Sequence, residues 1–223
     1  MNQPTVALLD ELERVNARFE TASPYDVLTW TFERFGGDVA MACSFEDLAL
    51  VHMIHVMRPD TEIVFLDTRG HFPETLDFVA RTAAAWSLRL TRTQPDADAD
   101  AWPCGTDRCC ELRKVEPLRR AVSDRAAWIT AVKRADGASR ATMSIVGWDE
   151  KFGLVKVNPL ATWSDEDVAY YLSANALEHH PLWSRGYTSI GCAAVTSVPV
   201  VPGDRRSGRW AGADKQECGL HEV

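Results

Sequence analysis

A chain of 223 residues with 46% hydrophobic and 25% charged side chains can bury one substantial core, and neither disorder nor a fibrous architecture fits that composition. Its 24 Lys and Arg against 32 Asp and Glu give a formal charge of −8, which opposes non-specific adhesion to nucleic acid or anionic lipid, so an anionic ligand requires a local basic pocket. Six cysteines, two of them adjacent, are too few for a disulfide scaffold and direct attention to metal binding or thiol chemistry.

The N-terminal MNQPTVALLDELERV carries acids where a secretory leader needs a basic start, and no run reaches membrane-spanning length. A cytoplasmic protein with neither a nucleic-acid nor a membrane partner is expected. Val6, Leu8, Leu9, Leu12 and Phe19 recur at helical spacing over about residues 4–20. Ser23-Pro24 caps and opens a second helix that Gly36-Gly37 ends near residue 35. Apolar runs at 38–43 and 62–67, separated by a helical pattern around 47–57, read as a βαβ unit. A helix over about 72–87 and a strand at 88–91 follow, with further strands at 128–132 and 142–146 and a late helix at 165–173. This alternation predicts an α/β fold, a mostly parallel sheet with helices on both faces. Residues 95–108 are acidic, small and strand-free, a surface loop. Beyond about residue 198 periodicity is lost, which predicts one domain over 1–198 and a mobile tail over 199–223.

In such a sheet the ligand lies beyond the carboxyl ends of the strands, which singles out Ser44-Phe45 and Asp67-Thr68. A loop entering a helix offers free N–H groups to a phosphate or sulfate, although capping a helix is the commoner role for a serine such as Ser44. Cys109 and Cys110 are poorly placed to bond each other but can both ligate one cluster, with Cys192 as a third thiolate. Cys104 and Cys43 are spare, and Cys43, ending an apolar run, reads as a small buried hydrophobe. Cys218 stands near the end of the chain, downstream of Arg205, Arg206 and Arg209, where positive charge draws in an anion and favours a thiolate.

Several ordered motifs then coincide. Cys109-Cys-Glu-Leu-Arg-Lys-Val-Glu-Pro-Leu118, Asn158-Pro-Leu-Ala161, Gly186-Tyr-Thr-Ser-Ile-Gly-Cys192, Ser207-Gly-Arg-Trp210 and Glu217-Cys-Gly-Leu-His221 resemble, in order and spacing, the assimilatory sulfonucleotide reductases over about residues 20–221. The resemblance implies an adenine-nucleotide alpha-hydrolase-like (PP-loop type) fold and reduction of adenylyl sulfate to sulfite and AMP, without ATP hydrolysis. It makes Cys218 the nucleophile, forming an S-sulfocysteine that thioredoxin or glutaredoxin resolves, in an enzyme that forms homo-oligomers. It makes Lys114 a catalytic residue between cluster and substrate, with Lys133, Arg134, Arg140, Arg206 and Arg209 as substrate-binding cations and His221, packed with the tail, at the substrate site without an acid-base role.

The resemblance also implies a four-iron four-sulfur cluster on Cys109, Cys110, Cys192 and a second later cysteine, but the chain reads Cys192-Ala-Ala-Val195. Valine ligates no iron. The cluster is then absent, held by three cysteines, or completed by another ligand such as Cys104, and a three-cysteine or rearranged cluster is the favoured reading. Retention of the Cys-Cys pair favours adenylyl sulfate over its 3′-phosphorylated form. Two other functions share parts of the pattern: ATP-using sulfur transfer on a three-cysteine cluster, and a non-catalytic homologue that binds nucleotide or metal. Against the first, Ser44-Phe45-Glu46-Asp47 lacks the glycine-rich cradle for pyrophosphate; against the second stands an intact Cys218.

Overall fold

A computed structural model describes residues 3–215 and 217–221. Local chemistry accounts for the early elements. Thr5 caps α1 (Val6–Phe19), and Ser23 and Asp26 form a reciprocal capping box for α2 (Pro24–Phe35), where Pro24 needs no N–H partner. The strands β1 (Val39–Cys43) and β2 (Glu62–Leu66) flank α3 (Ala49–Met57) in the expected βαβ unit. Then follow α4 (Pro73–Ala85), β3 (Leu90–Thr93), α5 (Asp107–Cys110), α6 (Glu116–Ala121), β4 (Ala127–Ile129), β5 (Val146–Asp149), β6 (Leu154–Val157) and α7 (Asp165–Ala174).

The six strands run in the order β3-β2-β1-β4-β6-β5, all parallel except the β5–β6 pair. Alternate residues face opposite ways along each strand. Ala127 and Ile129 of β4, with Val155 and Val157 of β6, join the large core under α1, α2, α3, α4 and α7, whereas Trp128 and Leu154 join a smaller core with Val115, Leu118 and Val122. Helices therefore cover both faces, as burial of a parallel sheet demands. Among the described residues no helix is long and apolar enough to cross a membrane.

The strand expected over 142–146 begins only at Val146. Residues 144–145 instead give their backbone groups to side chains and to the end of β6: Asn16 accepts from Ile145 N–H at 2.7 Å, and Asn158 donates to the Ser144 carbonyl at 2.8 Å. Strand β6, which sequence periodicity did not announce, is the second arm of the antiparallel β5–β6 pair, entered through Gly153 at φ +72°. The tail returns along residues 195–198: Ser197 N–H donates to the Gly208 carbonyl at 2.9 Å, Trp210 N–H to the Val195 carbonyl at 3.0 Å, and Leu220 packs against the smaller core.

Candidate active site

The chain lays down β1, β2 and β3 outward in one direction and then crosses back to place β4 on the other side of β1. The order reverses between β1 and β4, and the crevice of an open α/β sheet forms at that point, beyond the strand ends. The main cleft lies there. Ser44 and Phe45 from the β1 end and Thr130–Lys133 from the β4 end line it, and the tail closes it with Arg206, Arg209, Glu217, Cys218 and His221. Six cationic side chains meet four carboxylates in its walls, so a protein of net charge −8 concentrates positive charge at this place.

Asp136 organises the β4 side. Buried, it accepts from Lys133 N–H at 2.9 Å, Lys133 Nζ at 2.9 Å, Arg140 Nη1 at 2.9 Å and Arg205 Nη1 at 2.6 Å. Burial alone would push its carboxyl up, but Lys133 and Arg205 outweigh it and hold the group at about 2. Arg140 reaches on with Nε and Nη2 to Glu217 at 2.7 and 2.8 Å, and Arg206 touches the same carboxylate at 3.3 Å. Burial again opposes the Glu217 charge, and its bonds to Arg140 override it, keeping the group below the usual carboxylate range. The residue beside Cys218 is thus clamped between two expected substrate-binding arginines.

Lys114 lies on a π turn (Glu111–Val115) between α5 and α6, closed by Glu116 N–H to the Glu111 carbonyl. Pro117 next in line has no N–H to continue regular helix pairing, which accounts for the wider turn. Burial opposes the Lys114 ammonium charge, yet the neighbouring Cys218, Cys192 and Cys110 raise its pKa overall. Lys114 lines both the main cleft, with Cys218, and a smaller pocket walled by cysteines. Arg209 packs its guanidinium against the Gly191 backbone, where any Cβ would come within 2.2 Å of Nη2, and stacks over Trp210 at 4.8 Å.

Not every expected residue reaches the cleft. The Asp67 carboxylate turns to Arg92 on β3 at 2.7 Å, and Arg134 forms a two-pronged pair with Glu20 at 2.7 and 2.8 Å. Neither lines the site. Strand β2 lies one place away from the reversal, and its end reaches the cleft through Leu66, Thr68 and His71. His221 stacks on Trp128 with ring centroids 5.9 Å apart, and burial holds its imidazole neutral. One contributor carried no sequence signal: His71, whose imidazole burial pushes below its ordinary value and whose Nε2 lies 2.9 Å from the Leu66 carbonyl oxygen; Glu46, in the loop singled out after β1, pairs with Arg205 at 2.8 Å.

Below Lys114 a second, smaller pocket is lined by Cys104, Cys109, Cys110, Cys192 and Val195. Thr68 Oγ1 lies 3.4 Å from Cys192 Sγ, and Cys104 shares the pocket wall with Cys109, Cys110 and Cys192. Among the described residues, no three His, Cys, Asp or Glu side chains converge at the spacing that a single metal ion requires. Soft thiolates gathered from three chain segments around a pocket are nevertheless the donor set that suits an iron-sulfur cluster. Cys43, in contrast, is buried in the large core with its thiol pushed up by burial.

The family model for the phosphoadenosine phosphosulfate reductase domain matches residues 38–198. The chain belongs to this family. It is a sulfonucleotide reductase, an oxidoreductase acting on a sulfur group, and adenosine 5′-phosphosulfate reductases are among its relatives. That of Mycolicibacterium smegmatis is 41% identical over 94% of this chain and 92% of the relative, and one from Bacillus subtilis is 40% identical over 96% and 98%. A solved phosphoadenylyl-sulfate reductase from Candida auris, in a phosphate complex, superposes with a TM-score of 0.74 at 28% identity, covering 87% of this chain and 98% of the other. The FMN adenylyltransferase of Candida glabrata, at 17% identity and a TM-score of 0.60 over 81% of this chain and 62% of the other, shares the fold alone. These neighbours bear out the α/β architecture of the reductase.

Proposed function

We propose that this reductase converts adenylyl sulfate to sulfite and AMP through an S-sulfocysteine on Cys218. The observation that carries the reading is the tail itself: it brings Cys218 into the cleft at the β1/β4 reversal, beside Lys114 and among Arg140, Arg206 and Arg209. The Cys218 thiolate attacks the sulfate sulfur, the S–O bond to the phosphate breaks, and AMP leaves with that oxygen. Lys114 and the tail arginines neutralise anionic oxygens where the thiolate approaches, a contribution that matters most in the transition state. Ser44 and Phe45 at the β1 end and Lys133 at the β4 end hold the nucleotide.

The adduct then meets a thioredoxin- or glutaredoxin-type dithiol. One thiolate attacks Cys218 Sγ and expels sulfite, and the second resolves the mixed disulfide, so the dithiol is oxidised and the transferred sulfur reduced. The same sulfur must face substrate and then protein, which requires the tail to swing out after AMP leaves. Cys109, Cys110 and Cys192 would hold an iron-sulfur cluster, which supplies fixed charge beside Lys114 when bound. A cytoplasmic location fits this reading, since the reductants named are those of a reducing compartment.

The test is anaerobic incubation with adenylyl sulfate or its 3′-phosphorylated form, followed by peptide mass analysis. An SO3 adduct on the Cys218 peptide with the first substrate, discharged as sulfite by thioredoxin, is expected. No adduct with either nucleotide overturns the mechanism, and an adduct with the 3′-phosphorylated form alone overturns the substrate.

A further inference from the structure

The residue at 195 presents a puzzle that the fold answers. Cys192 starts a short 3-10 turn (Ala193–Val195), closed by Val195 N–H to the Cys192 carbonyl at 3.1 Å. Residues three apart nearly eclipse in such a turn, so the Cys192 and Val195 side chains enter the same small pocket. Valine brings no donor atom there.

The opposite wall is the loop 103–106. Thr106 Oγ1 donates to the Pro103 carbonyl at 3.0 Å and accepts from Cys109 N–H at 3.2 Å, which ties the loop to the start of α5. Gly105 sits at φ +95°, a left-handed conformation that favours glycine, and a Cβ there would lie 2.7 Å from Val195 Cγ1. The bare glycine thus makes room for the branched valine, and the residue before it, Cys104, lines the same small pocket as Cys109, Cys110 and Cys192. The donor lost from one wall is matched by a cysteine on the facing wall, next to the glycine that packs against Val195.

We propose that Cys104 supplies the fourth thiolate of a set completed by Cys109, Cys110 and Cys192, in place of a donor at position 195. The proposal rests on the iron-sulfur reading above and names the ligand that reading lacks. It also accounts for an exposed cysteine in an acidic surface loop, where a thiol without a partner chemistry is an oxidation liability.

The full chain is purified anaerobically and reconstituted with iron and sulfide, as wild type, Cys104→Ser, Cys43→Ser and the double variant Cys104→Ser/Val195→Cys. Iron count, visible spectrum and Mössbauer signature are read, none of which depends on turnover. About four irons per chain are expected in the wild type and in Cys43→Ser. Loss of at least one iron with an altered Mössbauer signature is expected in Cys104→Ser, with recovery in the double variant. Iodoacetamide should modify Cys104 in iron-free protein and spare it in loaded protein. A Cys104→Ser variant with unchanged iron and Mössbauer signature overturns the assignment while leaving the cluster reading intact. A wild type that takes up no iron overturns the cluster reading itself, and a Cys104–Cys192 disulfide found in that protein would make the pair a redox couple instead.

Discussion

Replacing Asp136 with asparagine tests whether one buried carboxylate holds the cationic wall of the site together. Its two oxygens take four bonds of 2.6–2.9 Å from Lys133, Arg140 and Arg205, all at least largely buried. The shift from the ordinary 3.8 to about 2 corresponds to about 2 kcal/mol at neutral pH. Because the folded-state pKa is the lower one, this stability is complete well above the unfolded value and is lost as pH falls through both; about half is gone near pH 3. The asparagine would keep the volume but remove one carboxylate from three cations whose remaining partners are Asp165, Glu217 and Glu46, so the cost at pH 7 should lie near the titration figure, about 2–3 kcal/mol. Urea unfolding of Asp136→Asn and wild type at pH 7, 5 and 3 measures it. The difference should shrink toward pH 3, where the wild-type carboxyl also begins to lose its advantage. A cost below about 1 kcal/mol at pH 7, or one that stays constant down to pH 3, refutes the assignment.

Other substitutions separate chemistry, anion binding and tail docking. Cys218→Ser should bind substrate with little change by calorimetry yet form no SO3 adduct; an adduct on any other cysteine would move the nucleophile. Gly191→Ala sets a methyl against the Arg209 guanidinium, the far end of a flexible side chain, so melting should change by less than about 1 kcal/mol while KM rises about tenfold. An unchanged KM would remove Arg209 from the anion site. In Gly208→Ala the new Cβ would lie 2.2 Å from the Ser197 carbonyl oxygen, a backbone clash that must part the return of the tail. Hydrogen exchange over residues 196–210 should accelerate and kcat fall, with the core strands still protected; an unaltered exchange pattern would show that the tail does not depend on this contact.

Much of the fold was legible because its signals are local. The Ser23 cap, the proline-opened helices and the apolar runs of β1 and β2 each act within a few residues, and the ordered motifs from Cys109 to His221 pointed to the family and to Cys218. The late strands were less legible: the 142–146 segment has strand-like residues, but Asn16 and Asn158, distant in the chain, take its backbone groups. By itself the sequence determined the alternating α/β order, the basic tail and the thiols. Only the tertiary structure decided that the strand order reverses between β1 and β4, so that Thr68 enters the cleft while Asp67 turns to Arg92, and Arg134 leaves it for Glu20. Likewise, only the folded chain sets Cys104 against the Val195 wall and gathers Lys133, Arg140 and Arg205 on Asp136. Side-chain periodicity is a property of each segment alone, whereas which segment ends adjoin depends on strand pairings between residues far apart in the chain.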